Sequence, residues 1–316
     1  MSKKLTWVIA HEPYHLFINA ASQFSEEIFA ETNGEYEIEV LGLSDWAKRQ
    51  GIDISVHFKD RERVVQLVND GTIDIATTYI ETLGKIEKDL YVLGMPFLFN
   101  DDDHATDVLD GVIGESLLSK LSAKSNVQGL AFTYSGGFRI MPGSQALETF
   151  EDFYNMPVAC SHSPVSFDTF KATGADPRPM AIDAVKSAIT SGEVKAGSTT
   201  YARFFASGYN DVAEVINDTQ HSLFLTSMIT NSKLWNGMSP KTRAIFKQAA
   251  LRAAKLEREE SVRDNTRVQA EAAKSGIPTI IMPSNEKLKL VNATKSIYSK
   301  YYTYFSSGLL SSIERH

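Results

Sequence analysis

The sequence lacks the features that mark several large classes of protein. It has a single cysteine, Cys160, so an internal disulfide bond is excluded. Its formal net charge is −7, and it contains no block of lysine and arginine that would neutralise nucleic-acid phosphates. Its longest apolar runs are far shorter than the roughly 20 residues of a transmembrane helix. We therefore expect neither a nucleic-acid partner nor a membrane-spanning segment.

The amino terminus shows no recognisable signal peptide. Met1 to Lys4 lead directly into residues 5–10, whose apolar pattern is typical of a β-strand. Such a start is expected either of a cytoplasmic protein or of a secreted protein whose signal segment has been removed. The remaining composition is that of a globular chain, with 43% apolar and 22% charged residues, and 316 residues are enough for two domains.

Strand and helix patterns alternate along the first part of the chain, as they do in α/β proteins. Apolar positions recur at helical spacing between residues 15 and 32, and Asn33-Gly34 then predicts the end of a helix. Repeated strand–helix–strand units indicate a sheet with helices on both faces. The pattern predicts strands at residues 5–10, 36–40 and 73–76, and helices at residues 15–32 and 60–69.

The alternation starts again after Arg139, which predicts a second domain. We expect the chain to cross between the domains near residues 132–136. Ser239-Pro240 then opens a helical pattern that runs to about Lys274 without a proline. At 1.5 Å per residue this helix would be roughly 50 Å long, so we expect it to span both domains. The later pattern predicts helices at 164–173, 181–190 and 285–305, and strands at 157–160 and 223–230.

The stretch Ser135-Gly136-Gly137-Phe138-Arg139 is the strongest single indication of a binding site. It follows an apolar run, residues 127–132, that is typical of a buried strand. Two glycines allow close approach of the backbone to a ligand, and the planar fork of an arginine matches a carboxylate. Small molecules bind at the carboxyl ends of strands in open α/β sheets. The motif taken alone fits a surface arginine after a tight turn equally well.

Several segments together resemble the substrate-binding subunits of TRAP transporters (tripartite ATP-independent periplasmic transporters) of the DctP type. Each segment alone is a weak signal, whereas their common order and spacing over most of the chain are specific. The matching segments are NDGTIDIA (69–76), LGMPFLF (93–99), DHA (103–105), GVIG (111–114), GFR (137–139), GADPRPM (174–180), residues 188–194 and 217–221, and NSKLW (231–235).

This resemblance implies an α/β, two-domain periplasmic solute-binding-protein fold with crossing strands and a long domain-spanning helix. Domain I would contain residues 1–133 and about 219–255, and domain II residues 134–218 and about 256–316. The implied ligand is a small polar organic solute, such as an organic acid, that binds in the interdomain cleft and passes to a TRAP membrane permease. The resemblance also implies a periplasmic location, no cofactor, no metal ion and no enzymatic reaction.

The sequence departs from the family pattern at three places. The strand arginine that usually grips the ligand carboxylate aligns with Ala159. The usual asparagine of a later segment aligns with Thr199, which follows Ser198. Residues 43–59 replace an early glycine-rich loop and give no interpretable pattern. We therefore expect the scaffold to be kept and the usual carboxylate clamp to be absent.

Arg139 matches a second arginine of the family, so we expect it in the cleft; the alternative is an ion pair within domain II. Ser161 and His162 follow the altered strand and would supply hydrogen bonds in place of the missing cation. Ser161 and Ser163 are equally well explained as caps of the next helix. His221 lies in another matching segment and completes this group of predicted cleft residues.

Other predicted ligand residues come from the first domain. His11 and Glu12 follow the first strand, where they either line the cleft or, in the case of Glu12, face solvent. The polar residues Thr77, Thr78 and Tyr79 follow the predicted strand at 73–76 and match a ligand loop of the family. Aromatic side chains would form cleft walls or, as is more usual, belong to the core; these are Phe97, Tyr134 and Phe204.

Other functions are favoured less by the residues. Asp101 to His104 resemble a site for a hard cation, but helix capping explains them better. Cys160 with His162 lacks an orienting third group for nucleophilic catalysis. No nucleophile elbow, P-loop or dinucleotide fingerprint is present. The remaining alternatives are an enzyme on the same scaffold, a ligand-sensing subunit of a signalling system and a cytoplasmic binding domain.

Overall fold

The computed structural model describes residues 2–11, 14–53 and 62–316. The strands in these ranges form two sheets. They are β1 (Lys3–Ile9), β2 (Tyr36–Gly42), β3 (Ile75–Tyr79), β4 (Val127–Phe138), β5 (Met141–Gly143), β6 (Pro157–Cys160), β7 (Asp176–Pro179), β8 (Ala196–Gly197), β9 (Val215–Asn217), β10 (Leu223–Asn231) and β11 (Thr279–Ile280).

Helices cover both sheets. The α-helices of the described ranges are α1 (Ile18–Glu31), α2 (Leu43–Arg49), α3 (Glu62–Asp70), α4 (Ile80–Leu83), α5 (Asp102–Asp110), α6 (Val112–Lys124), α7 (Pro164–Ala172), α8 (Val185–Thr190), α9 (Tyr201–Ala206), α10 (Ser232–Asn236), α11 (Pro240–Lys274), α12 (Ser284–Tyr301) and α13 (Leu309–Glu314). Short 3₁₀ helices lie at Tyr14–Phe17, Lys88–Gly94, Phe150–Phe153, Ile182–Ala184 and Tyr209–Asp211.

The first sheet has the strand order β2-β1-β3-β10-β4. Its first three strands are parallel, and β10 runs antiparallel to both β3 and β4. All nine residues of β10 are buried, because helices lie on both faces of the sheet. The second sheet has the order β11-β9-β5-β8-β6-β7. The two sheets define a first and a second lobe and confirm the predicted α/β fold class.

The chain crosses from the first lobe to the second at the end of β4. The predicted strand stopped at Phe132, but β4 continues through the two glycines to Phe138. Gly136 and Gly137 have φ angles of 90° and 83°, in the left-handed region that favours glycine. A Cβ atom on Gly136 would lie 2.5 Å from Thr200 Oγ1 of the second lobe. The glycines therefore let the two lobes come close within a continuous strand, and the alternative of a tight turn at this motif is excluded.

Helix α11 has the predicted bounds and contributes side chains to both lobes. Ser239 caps its start by accepting a hydrogen bond from the Thr242 backbone N–H at 3.1 Å. Phe246 and the alanines that follow pack in a core with α1 and β1 of the first lobe. Val268 and Ala272 pack in a core of the second lobe. The helix thus ties the two cores together, as the length of its pattern predicted.

Several boundaries differ from the predictions. The strand predicted at 73–76 is β3, which ends at Tyr79 and not at Ala76. The helix predicted at 285–305 ends at Tyr301. Within residues 43–59, α2 occupies the beginning, and residues 54–59 lie outside the described ranges. No helix of the described residues combines the length and the apolar composition that crossing a membrane requires.

Candidate ligand-binding site

A cavity of about 350 Å³ lies between the two lobes. The first lobe contributes the end of β3, the α4 segment and the start of β10 to its wall. The second lobe contributes residues 159–163, the turn at 180–183 and Ser198, and Arg139 stands where the lobes meet. The lining side chains from the first lobe are Tyr79, Glu81, Thr82, Lys85, Tyr91 and Phe224.

Arg139 is held firmly in this wall. Its side chain is only 9% exposed, and its Nη2 donates to Glu81 Oε1 at 3.1 Å. The guanidinium lies 3.6 Å from the ring centre of Phe224, which stacks on Tyr79 in turn. Burial lowers the pKa of Arg139, and the nearby Glu81 carboxylate opposes this effect. Arg139 is therefore a desolvated cation with one carboxylate partner at the edge of the cavity.

His221 and Ser198 lie behind Arg139. Ser198 Oγ is 3.1 Å from His221 Nε2 and 3.5 Å from Arg139 Nη1. Thr219 Oγ1 lies 2.7 Å from His221 Nδ1, so both ring nitrogens have partners. Burial, helped by the charge of Arg139, lowers the pKa of His221 to about 3. The imidazole is therefore neutral at physiological pH and orients Ser198 without adding charge.

The structure brings five of the predicted ligand residues to the cavity wall. Arg139 stands at the junction of the lobes, Tyr79 comes from the first lobe, and the second lobe supplies Ser161, His162 and Ser198. His221 lines a narrow extension of about 30 Å³ that reaches Arg139. These positions agree with the expectation that polar groups gather where strands end. Their role in binding stays a prediction.

Other predicted residues lie elsewhere. Thr78 is fully buried opposite Ser227 within the sheet, because β3 extends further than predicted. His11 Nε2 lies 2.5 Å from Ser135 Oγ, and its ring packs against Phe17 beneath the wall. Neither residue lines the cavity. Glu12 lies outside the described residues.

The three aromatic residues that were predicted to form cleft walls or to belong to the core lie away from the main cavity. Tyr134 is buried in the first-lobe core, and its backbone N–H donates to Glu257 of α11. Phe204 is buried in a second-lobe core, which confirms the core alternative. Phe97 packs against another second-lobe core, away from the main cavity. Thr199 is fully buried directly behind Ser198, so it stands one residue away from the wall.

Two capping alternatives are resolved by the structure. Ser163 stands at the N-cap of α7, but its side chain makes no capping hydrogen bond. Ser161 Oγ accepts from the Ser163 backbone N–H at 3.3 Å instead. Asp101 caps α5 by accepting from the His104 backbone N–H at 2.8 Å, which confirms capping as the explanation of this acidic run. The described residues contain no cluster of three or more potential metal ligands.

The strand that departs from the family pattern reaches the cavity as well. Ala159 lies in β6 between Arg178 of β7 and Gly197 of β8, and it lines the cavity without any polar side-chain group. Its neighbour Cys160 is buried, and burial raises the pKa of the thiol to about 12. A thiol that stays protonated is a poor nucleophile, so Cys160 is a packing residue at neutral pH.

The sequence reasoning missed four charged residues in or beside the cavity wall, one of which is Lys85. Glu81 pairs with Arg139 although 58 positions separate them. Arg203 of α9 is 1% exposed, and its Nη1 donates to the Tyr79 hydroxyl at 3.3 Å. Asp183 lines the cavity 3.9 Å from Arg203 Nη2. No local pattern marks them, because tertiary packing, both between the lobes and within the second lobe, brings these residues together.

The molecule has two lobes with α/β sheets, a cavity between them and a helix shared by both cores. These features define a two-lobed binding protein. Residues 9–304 match the DctP family of bacterial extracellular solute-binding proteins, family 7. The chain belongs to this family, which confirms the resemblance to the substrate-binding subunits of TRAP transporters. Membership also confirms the expected extracytoplasmic location and a membrane permease as partner.

Relatives and solved structures agree with this assignment. The C4-dicarboxylate-binding periplasmic protein DctP of Rhodobacter capsulatus is 27% identical, over 72% of this chain and 65% of the relative. A TRAP solute-binding protein of Polaromonas sp. JS666, bound to D-erythronate, superposes with a TM-score of 0.85 at 24% identity, covering 99% of this chain and 98% of the other. A TRAP periplasmic solute-binding protein of Citrobacter koseri with bound D-glucuronate superposes with a TM-score of 0.81 at 21% identity, covering 98% of each chain. These structures support the same fold.

Proposed function

We propose that this protein captures a small organic acid in the cleft between its lobes and delivers it unchanged to a TRAP permease. The observation that carries the proposal is the placement of Arg139. Its guanidinium is withdrawn from water, sits at the edge of a cavity of about 350 Å³, and has donors beyond the single contact with Glu81. Such a group is suited to the oxygens of an organic acid.

The cavity is suited to a small, oxygen-rich molecule. Hydroxyl groups of Ser161, Ser198 and Tyr79 lie in the same wall as the arginine. Phe224 and Tyr79 offer an apolar surface for the carbon skeleton. Small-molecule sites typically combine a mainly apolar lining with a few placed polar groups. Among the similar proteins, the Rhodobacter capsulatus relative is named for C4-dicarboxylate binding, and the two solved structures compared above hold D-erythronate and D-glucuronate.

Two groups at the site that would be candidates for chemistry on the ligand are held inactive. The thiol of Cys160 is held protonated, and His221 is held neutral with both nitrogens engaged. General acid–base catalysis needs a group that titrates near the working pH within reach of the substrate. We therefore propose binding and release as the whole activity of the protein.

Isothermal titration calorimetry with D-erythronate, D-glucuronate and succinate tests this proposal. We expect at least one of these acids to bind, and Arg139→Ala to weaken its affinity by at least tenfold, because a charged hydrogen bond contributes about 1.5–3 kcal/mol. Arg178→Ala, which removes an exposed arginine of the second lobe, is the matched control. Absence of binding to all three acids, or equal binding by a folded Arg139→Ala protein, would contradict the proposal.

A further inference from the structure

Helix α7 begins at the cavity wall without a capping side chain. Residues 161–163, which precede its first turn, line the cavity between the lobes. Ser163 holds the N-cap position with an extended backbone, at φ −65° and ψ 131°, yet its side chain makes no capping hydrogen bond. Pro164 follows and has no N–H group. The next two donors are the N–H groups of Val165 and Ser166, and neither has an acceptor among the described residues.

The hydroxyl of Ser163 is a third unpaired group at the same place. Ser163 is only 7% exposed. Its backbone N–H and carbonyl make hydrogen bonds, whereas its Oγ makes none within the described ranges. The residue borders both the main cavity and the narrow extension that reaches Arg139. Because buried polar groups are nearly always paired in folded proteins, an unpaired hydroxyl that borders a cavity is available to a ligand.

The narrow extension has the size of a carboxylate group. Its volume is about 30 Å³, whereas one water molecule needs roughly 10–15 Å³. Ser163 and Ser166 both border it, since residues three apart share a face of a helix. Arg139 borders the same space. Two oxygen atoms therefore fit where the start of α7 and the arginine meet.

We propose that the first turn of α7 is the subsite for the ligand's carboxylate, with the Ser163 hydroxyl and the N–H groups of Val165 and Ser166 as donors. The inference rests on the proposed function, and it assigns the acid group of the ligand to a helix terminus. Aligned peptide dipoles give a helix N-terminus about half a positive charge, which favours an anion there. Ala159, on the strand before α7, lines the cavity without a polar side chain. The helix terminus supplies the attraction that this position lacks.

The charges near α7 favour this end of the cavity for an acid group. Glu81 already occupies Nη2 of Arg139, so the arginine alone offers only part of its guanidinium. The donors of α7 have no such competitor. The one acidic side chain of α7, Asp168, is engaged by Lys300 and Tyr301 of α12. A carboxylate at the start of α7 thus meets unpaired donors and keeps a contact with Arg139.

Capping variants test the inference by calorimetry with D-erythronate, D-glucuronate and succinate. Ser163→Asn places an amide oxygen on the free N–H groups. We expect it to raise the melting temperature by about 2 °C. It should lower the affinity for a bound acid at least tenfold, because the acid loses these donors. Gly42→Asn is the matched control, since Gly42 is an extended N-cap of α2 that has no side-chain cap and does not line the cavity. The control should leave the affinity unchanged.

Amide NMR measures the proposed contact directly and separates it from a loss of space in the cavity. In the wild-type protein, we expect the ¹H resonances of the Val165 and Ser166 amides to move downfield when a bound acid is added to saturation. Ser163→Ala removes one donor without adding bulk and should lower the affinity about fivefold. Ser163→Thr keeps the hydroxyl and should keep most of the affinity.

The outcomes separate this inference from the proposed function. If the wild-type protein binds none of the three acids, both fail. If it binds an acid while a folded Ser163→Asn protein keeps the wild-type affinity, the α7 subsite is overturned and the proposed function stands. The same conclusion follows if the Val165 and Ser166 resonances do not move. Should Ser163→Asn fail to fold, unmoved amide resonances or an unchanged affinity of Ser163→Ala would overturn the subsite.

Discussion

Arg139 and Glu81 form an ion pair, with 3.1 Å between Nη2 and Oε1, at the place where the two lobes meet. The arginine side chain is buried, whereas that of Glu81 is about one-third exposed at the cavity wall. The pair therefore presents a partly neutralised cation to any ligand. A ligand carboxylate that approached Arg139 would have to compete with a carboxylate already in place.

Replacing Glu81 by glutamine should change the selectivity of the site. Glu81→Gln removes the competing negative charge and leaves a side chain of the same shape. We expect succinate affinity to rise several-fold relative to D-erythronate affinity, because Arg139 becomes available to a second carboxylate. Calorimetry with both acids measures the ratio. Glu193→Gln, at an exposed position of the second lobe, is the control, and an unchanged ratio in Glu81→Gln would show that the ion pair does not control selectivity.

Ala159 offers a test of the cavity as a carboxylate site. An arginine at this position would extend from β6 into the cavity that Ala159 lines. We expect Ala159→Arg to gain measurable binding of acetate, since a desolvated guanidinium pairs well with a carboxylate. Ala159→Met adds similar length without charge and should gain nothing. If acetate binding is the same in both variants, the side chain at position 159 is not directed at the ligand position.

Glu257 should make stability depend on pH. It is fully buried in α11, where it accepts hydrogen bonds from the Tyr134 backbone N–H at 2.6 Å and from Ser261 Oγ at 2.7 Å. Burial raises its pKa from 4.5 to about 8 in the folded protein. Between these values the folded state holds a proton that the unfolded state has lost, so the contribution of Glu257 to the free energy of unfolding should fall as pH rises from about 4.5 to 8.

Glu257→Gln should remove this dependence, because an amide can make both hydrogen bonds without a charge. Thermal denaturation at several pH values should show the variant gaining stability relative to wild type as pH rises through the interval. Comparison of the two proteins cancels the opposite contribution of His221, whose pKa is lowered in both. Glu259→Gln, on an exposed face of the same helix, is the control. A constant difference between wild type and Glu257→Gln would disprove the assignment.

Ligand binding should close the two lobes. The strands β4 and β10 lead into and out of the second lobe side by side, with Phe138 opposite Leu223, which makes this pair a natural hinge. We expect the radius of gyration from small-angle X-ray scattering to decrease when a bound acid is added to saturation. An unchanged scattering profile would argue against closure. The exact division of the chain into two domains remains a prediction. The position of the hinge would define the domain boundary.

The fold was largely predictable because its signals are local. The alternation of strands and helices, and the uninterrupted pattern after Ser239, indicated an α/β chain with one very long helix. The predicted ends of the strands were wrong where polar residues belong to a strand. Thr77 and Thr78 suggest a loop by their composition, yet they continue β3 because β10 pairs with them on the interior of the sheet.

The site was predictable only in part, because its charges meet through tertiary structure. Arg139 was identified since a strand and two glycines precede it. Arg203 sits in the short helix α9, where one arginine among aromatic residues is typical of a surface position. Its burial depends on the second lobe folding against the first, and Glu81 reaches Arg139 for the same reason. The spacing of these residues along the chain does not indicate either contact.

Helix α11 places Phe246 in one core and Val268 in the other, within a single hydrogen-bonded element. If the core of one lobe unfolds, α11 loses part of its packing surface. The other lobe depends on the same helix, so it is destabilised as well. Calorimetric melting should therefore give one cooperative transition for the whole chain, in contrast to the separate transitions of domains joined by a flexible linker. A destabilising change in either lobe should thus lower the stability of the entire molecule, including the cleft that lies between the lobes.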